Sequence, residues 1–353
     1  MERAKNGDKV KTANIVNEKF SNALKGIPQK TPPIWFMRQA GRYHDHYQNL
    51  RKTHSFIDLC KVSELAAEVA LGPVDEFDFD VSILFSDLLF PLQALGMGLE
   101  YNPAPTLSFQ LSEDSLKNLV SAEEALPHLE FQKAAMIATR KVLPKDKSLI
   151  GFVGGPWTLF TYACEGGHKG HLQTAKNNFG LYNSFCEVLV PLLKKNIALQ
   201  FEGGAEVVMV FDTAAGELSP RLYHQFVLPH LEEISRAYPK KLGYYSKGTT
   251  LDHIRPHLTD LPWAGIGVDH RFDLPELLKT PFEGFIQGNF DQALLFNDPS
   301  HFESRLSEYI KPFKSLSDKE RARWVCGLGH GVLPQTPMEN VKTFIKTIRR
   351  EFS

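Results

Sequence analysis

EVVMVFDTAAGELSPRLYHQFVLPHLEEISRAYPKKLGYY, residues 206–245, holds two short apolar runs with a long segment of helical period between them. Glu206 to Phe211 and Leu242 to Tyr245 are too short for independent helices and read as buried strands. Between them, Ser219 to Ala237 carries the helical period, with Ser219 placed to cap and Pro220 suited to the first helical position. A strand, a helix and a second strand in this order form a parallel unit with a helical crossover.

The alternation extends both ways from that unit. Apolar runs at Ile34 to Met37, Val81 to Phe85, Ser148 to Val153, Gly265 to Val268, Gly284 to Ile286 and Arg323 to Cys326 bring the strands to eight. Helical segments separate them, such as Ser63 to Leu71, where Ser63 is placed to cap. Eight such units over 353 residues predict an α/β fold, a single (β/α)8 barrel of TIM type, rather than two doubly wound domains. Residues 1–24 read as an N-terminal extension, 100–111 as a hairpin insertion, and 143–147 as a loop.

Hydrophobic residues make up 42% of the chain, enough for a large core, and 40 basic against 41 acidic residues leave a formal charge of −1. Nothing in that balance steers the chain to nucleic acid or an anionic membrane, so an anionic substrate has to be held by local charges. No apolar stretch of about 20 residues suggests a membrane span. Residues 1–20 lack a signal-peptide core, and Cys60, Cys164, Cys186 and Cys326 form no C-x-x-C pair. These features point to the cytoplasm.

A barrel of this type gathers its active site at the C-terminal ends of the strands. That rule selects Arg38, Gln39 and Arg42 after the first run, Asp87 after the second and Tyr162 after the third. It adds Asp212 and Thr213 after the fourth and His330 after the eighth. Two arginines four apart beside Gly41 suit carboxylate recognition, because the guanidinium fork stays charged and matches carboxylate geometry; an ion-paired surface loop is the plainer alternative. Asp87, flanked by Leu88, Leu89 and Phe90, places a carboxylate among apolar groups, where it would stabilise a developing cation; a helix N-cap is the competing reading. Gly151 to Leu159 is glycine-rich but lacks phosphate-loop spacing, and Pro156 explains the glycines as turn geometry. Gly329-His330-Gly331 sets a mobile imidazole at the last strand end. No metal-ligand spacing and no G-x-S-x-G elbow appears, so no metal site is expected.

Residues 33–43, PIWFMRQAGRY, and 151–167, GFVGGPWTLFTYACEGG, together with 211–220 and 329–341, resemble the signatures of the uroporphyrinogen decarboxylase family. The resemblance runs from about Lys25 to the C-terminus. It implies a cofactor-independent barrel enzyme, usually a homodimer. Such an enzyme converts the tetrapyrrole uroporphyrinogen III to coproporphyrinogen III by removing four acetate carboxyl groups. By motif position it implies substrate binding by Arg38, Gln39, Ala40, Gly41 and Arg42, and a central aspartate at Asp87. The family's tyrosine falls on Tyr162 and its histidine on His330. The fourth-strand motif departs from the family's usual Phe-Asp-Ser-x-Ala-Gly, since Thr213 stands where serine is usual; the hydroxyl is kept and a methyl added.

The absence of a cofactor has a chemical reason. Loss of carbon dioxide leaves two electrons on carbon, and a pyrrole protonated beside the acetate accepts them. Asp87 is then expected to stabilise the cationic ring and Arg38 and Arg42 to pair with carboxylates. Tyr162, Thr213 and His330 are expected to orient those carboxylates, with Arg38 or a substrate carboxyl group as proton donor. Two rivals are weighed: a zinc-dependent methyltransferase and a non-catalytic porphyrinogen carrier. The stretch Tyr244-Tyr245-Ser246-Lys247-Gly248 offers no His or Cys ligand near the fifth strand, and a carrier has little use for Asp87.

Overall fold

Side chains sort with period two along the strands and so define an inside and an outside. The computed structural model describes residues 13–101, 104–167 and 170–353. Its strands in chain order are β1 (Val81–Ile83), β2 (Glu100–Tyr101), β3 (Pro105–Thr106), β4 (Ser148–Gly154), β5 (Val207–Asp212), β6 (Leu242–Ser246), β7 (Gly265–Gly267), β8 (Phe285–Phe290) and β9 (Trp324–Leu328). All but β2 and β3 form one parallel sheet in the order β1-β4-β5-β6-β7-β8-β9. On β5, Val207, Met209 and Phe211 join the interior cluster, while Val208 and Val210 pack outward under the helices. Interior packing is complementary: a Cβ on Gly243 would stand 2.2 Å from the Met209 sulfur, and one on Gly265 2.3 Å from the Phe285 ring.

The first expected strand is not one. Ile34 to Met37 keeps the alternation, with Trp35 and Met37 inside and Ile34 and Phe36 outside, but forms a single parallel bridge, Ile34 with Cys326. The reason lies in its partners. Toward β9, Cys326 N–H donates to Pro33 O at 2.9 Å and Trp35 N–H to Cys326 O at 3.3 Å. Toward β1, Asp80 N–H donates to Ile34 O at 2.9 Å, but the rest of the seam is stitched by side chains. Ile34 N–H donates to Asp80 Oδ2 at 2.8 Å, and Phe36 N–H to Gln39 Oε1 at 3.1 Å. Gln39 Nε2 donates onward to Val81 O at 3.1 Å. A carboxylate and an amide thus replace the β-ladder and close the barrel.

Asp80 is buried and also ion-pairs with Lys19 Nζ at 2.8 Å and lies 3.7 Å from the Arg349 guanidinium. Lys19 sits on the helix Glu18–Lys25, within the stretch read as an extension. That helix plugs the N-terminal end of the barrel: Phe20 packs 5.5 Å from the Phe285 ring, and Asn17 caps it by accepting from Phe20 N–H at 2.9 Å. Residues 1–12 of the extension lie outside the described residues, as do 102–103 of the hairpin.

Two further expectations meet the structure differently. Ser219 accepts from Leu222 N–H and Pro220 opens the helix, which runs to Ala237 through a π-turn at Tyr223–Val227. Ser63 does not cap: it is the first residue of the helix Ser63–Phe77, Val62 holds the cap position, and the Ser63 hydroxyl bonds Glu64. The seventh run extends to Phe290, because buried Asn289 is satisfied by Asp269 O at 2.9 Å and Phe272 O at 2.8 Å.

Removing the Asp80 carboxylate leaves the buried Ile34 amide and the Lys19 ammonium without their acceptor and takes one of two carboxylates from Arg349, which keeps Asp78. Asp80→Ala is therefore expected to lower unfolding stability by about 3 kcal/mol, read as an earlier urea midpoint. A midpoint within error of the parent would mean the seam is held elsewhere.

Candidate active site

A cleft of about 390 Å³ opens at the C-terminal ends of the strands. Its lining brings together Arg38, Ala40, Gly41 and Arg42 from the first loop, Asp87 after β1, Tyr162 from the helix Pro156–Glu165, Thr213 after β5 and His330 after β9. Gln39 does not line it: buried in the seam, it bonds Phe36 N–H and Val81 O. Asp212 is also set apart. It is fully buried behind β5, accepting from Thr158 N–H at 3.2 Å and Thr158 Oγ1 at 2.6 Å, and so holds the first turn of Pro156–Glu165. Burial raises its carboxyl pKa to about 6 against the pull of those hydrogen bonds.

The arginine loop is shaped by backbone strain. Arg38 stands at φ 60°, a left-handed conformation that costs a side-chain-bearing residue on the order of 1–2 kcal/mol. Gly331 explains why that conformation is tolerated. A Cβ there would lie 2.5 Å from Arg38 Cδ, so its absence makes room for the arginine stem, and Val332 N–H donates to Met37 O at 2.9 Å alongside. Arg38 and Arg42 are both exposed, and among the described residues neither forms an ion pair. Two guanidinium groups at a cleft rim with no carboxylate within ion-pair distance fit an anionic ligand.

Asp87 is not the helix N-cap that its sequence also allowed. One carboxylate oxygen accepts Leu89 N–H at 2.8 Å and so organises the turn into the short helix Phe90–Leu92, whose own cap residue is Leu89. The surroundings are apolar: Phe85, Leu88, Phe152 and Phe211 contribute to the same cleft. Burial raises the Asp87 pKa, while the Leu89 amide, the Tyr101 hydroxyl and the charge of Arg38 pull it back. Burial raises the phenol pKa of Tyr162, the nearby charge of Asp87 adds to that rise, and Arg38 opposes it.

Thr213 is buried at the β5 end, and His330 sits against Tyr245 of β6, whose ring lies 6.0 Å away and 11° from parallel. Gly329 must lack a side chain, since a Cβ would meet the His270 amide nitrogen at 2.5 Å. Tyr101 and Tyr245 escaped the sequence reading. Tyr245 ends a strand and was within reach of the same positional rule; Tyr101 lies in the hairpin, where nothing in the pattern signals a neighbour of Asp87. Tyr47, Phe56, Phe152 and Phe211 line the cleft but look like any core aromatic in sequence.

A family model described as uroporphyrinogen decarboxylase (URO-D) matches residues 16–351. A Chlorobium phaeobacteroides protein named uroporphyrinogen decarboxylase is 32% identical, covering 96% of this chain and 98% of its own. One of the same name from Vesicomyosocius okutanii is 34% identical over 93% of this chain and 96% of its own. Among solved structures, a methyltransferase from Methanosarcina mazei superposes with a TM-score of 0.76 at 17% identity, over 96% of this chain and 100% of that one. This last likeness concerns the fold alone. The curated relatives and the match across nearly all the described chain make the assignment: the protein belongs to the uroporphyrinogen decarboxylase family.

Proposed function

We propose that the cleft binds uroporphyrinogen III and that the chain removes its four acetate carboxyl groups, giving coproporphyrinogen III and carbon dioxide in porphyrin and haem biosynthesis. The observation that carries this reading is a carboxylate, Asp87, held in a largely apolar cleft together with two arginines that, among the described residues, form no ion pair. An anionic macrocycle with a cationic reaction intermediate needs both.

The chemistry balances without an added electron acceptor. A proton adds to the ring carbon next to the one that bears the acetate and makes the pyrrole cationic. The bond to the carboxylate then breaks, carbon dioxide leaves, and its bonding pair flows into the ring to form an exocyclic methylene. Protonation of that methylene gives the methyl group, and loss of the first proton restores the pyrrole, so each cycle consumes one proton. Asp87 accepts hydrogen bonds from pyrrole N–H groups and stabilises the cation; its effect grows in the transition state because the ring gains charge there. Arg38 and Arg42 pair with substrate carboxylates, with backbone from Ala40 and Gly41 beside them, and Gln39 supports the loop from the seam. Tyr162, Thr213 and His330 orient the carboxylates. Arg38 and a substrate carboxyl group are the two proton-donor candidates.

The reading includes a cytoplasmic homodimer. Four unpaired, buried cysteines suit a reducing compartment, and the family resemblance supports the dimer. Methyl transfer at a zinc thiolate site is less well supported. The β6 end presents Tyr245 and Ser246, and Cys326 is built into the barrel wall opposite Ile34.

Anaerobic incubation of the purified protein with uroporphyrinogen, followed by oxidation and chromatography, is expected to yield seven-, six-, five- and four-carboxyl products in sequence. Persistent eight-carboxyl material would instead favour a carrier or a methyltransferase. Asp87→Asn is expected to lower kcat on the order of 10²–10³-fold with little change in KM. Comparable losses in both would remove the cation-stabilising role. In sedimentation velocity the chain is expected to run as a dimer, and a monomer at all concentrations would refute that.

A further inference from the structure

The contact between β6 and the loop after β9 fixes where a proton sits. Tyr245 is fully buried, with its hydroxyl 2.7 Å from Gly329 O and 3.0 Å from His330 Nδ1. A carbonyl oxygen only accepts, so the single phenolic hydrogen lies on the Gly329 bond. Burial raises the Tyr245 pKa far beyond the working range and keeps that hydrogen in place. The second contact must then take its hydrogen from the imidazole; otherwise two lone pairs would face each other at hydrogen-bond distance. His330 therefore donates Nδ1–H to the tyrosine oxygen.

We infer that Tyr245 is a positioning residue that holds the neutral His330 ring in its Nδ1–H tautomer, so that Nε2 donates to a substrate carboxylate only when the ring is an imidazolium. This rests on the reading of His330 as a carboxylate-binding group. The consequence is a pH-dependent grip on the substrate: the imidazolium binds the carboxylate, and deprotonation removes the Nε2 hydrogen and leaves a lone pair facing a negative charge. Affinity is present below the His330 titration and is lost as pH rises through it. Among the described residues, the charged and titratable groups on the surrounding elements include Arg38 of the first loop, Asp269, His270 and Arg271 after β7, and Asp87 and Tyr162 across the cleft. Asp269 is already engaged by Gly248 N–H at 2.6 Å and by Arg271 at 2.5 Å.

Tyr245→Phe removes one oxygen from a buried ring and frees the neutral imidazole to carry its hydrogen on Nε2. In the parent, KM for uroporphyrinogen is expected to rise with pH through the His330 titration, by at most about tenfold per pH unit for one linked proton, and then to level off. In Tyr245→Phe that rise should flatten, with KM at the acid end changed only slightly. Long-range proton–nitrogen spectra of the substrate-free protein, labelled with ¹⁵N-histidine and assigned by loss of signal in His330→Gln, report the tautomer directly. The parent is expected to show a protonated Nδ1 and a bare Nε2 at high pH, and Tyr245→Phe a mixture. An Nε2–H tautomer in the parent, or the same tautomer in both proteins, overturns the role of Tyr245. A changed tautomer with an unchanged KM profile instead overturns the carboxylate contact of His330 and leaves the tautomer assignment standing.

Discussion

Barrel closure depends on two side chains at a seam where a strand is missing. Asp80 and Gln39 take the amide hydrogens of Ile34 and Phe36 that a β-ladder would otherwise satisfy. A backbone ladder would have required the first run to continue straight in register with β1. Side-chain stitching releases the run after Met37, so the chain can turn at once, through the left-handed Arg38, across the mouth of the barrel. The same irregularity that leaves only one bridge at Ile34 thus delivers Arg38 and Arg42 to the cleft. Closure and site are two ends of one seven-residue device running from Ile34 to Ala40.

Charge is distributed unevenly between the two ends. At the N-terminal end of the strands cations and anions neutralise one another: Lys19 with Asp80, Lys147 and Arg349 with Asp78, Arg140 with buried Glu206. Such partly buried pairs contribute little net stability but are damaging to break. At the cleft, among the described residues, Arg38 and Arg42 form no ion pair within 4 Å, and the Asp87 carboxylate sits in a largely apolar lining with the Leu89 amide as its hydrogen-bond donor. A folded protein gains nothing in stability from that arrangement, which is why it reads as chemistry rather than architecture.

Much of this was legible in the sequence because two rules with physical content converged. Apolar runs spaced by helical segments imply a parallel barrel, and a parallel barrel presents polar residues at strand ends. Six of the positions so selected, Arg38, Arg42, Asp87, Tyr162, Thr213 and His330, share one cleft. The rule is blind to side-chain direction. Gln39 and Asp212 sit at the right height and turn into the wall, because each has unsatisfied backbone amides nearby that outcompete water. It is equally blind to polar residues inside strands, so the second half of β8 falls outside the apolar run that ends at Ile286. The first run alternates like a strand and was counted as one; only the neighbouring Asp80 and Gln39 reveal that its ladder is made of side chains.

The position of Asp80 also bears on the order in which the protein can be made. Its two cationic neighbours, Lys19 and Arg349, come from opposite ends of the described chain, and Thr31 donates to the carbonyl of Phe352 close by. Contacts between segments so far apart in sequence close very long loops and form late. During translation, every strand of the barrel leaves the ribosome before the helix carrying Arg349. A nascent chain can therefore assemble the sheet and its helical layer while Asp80 still has only half its counter-charge. The helix Met338–Glu351, which follows every strand in the chain, thus acts as a latch across the bottom of a barrel already laid down before it.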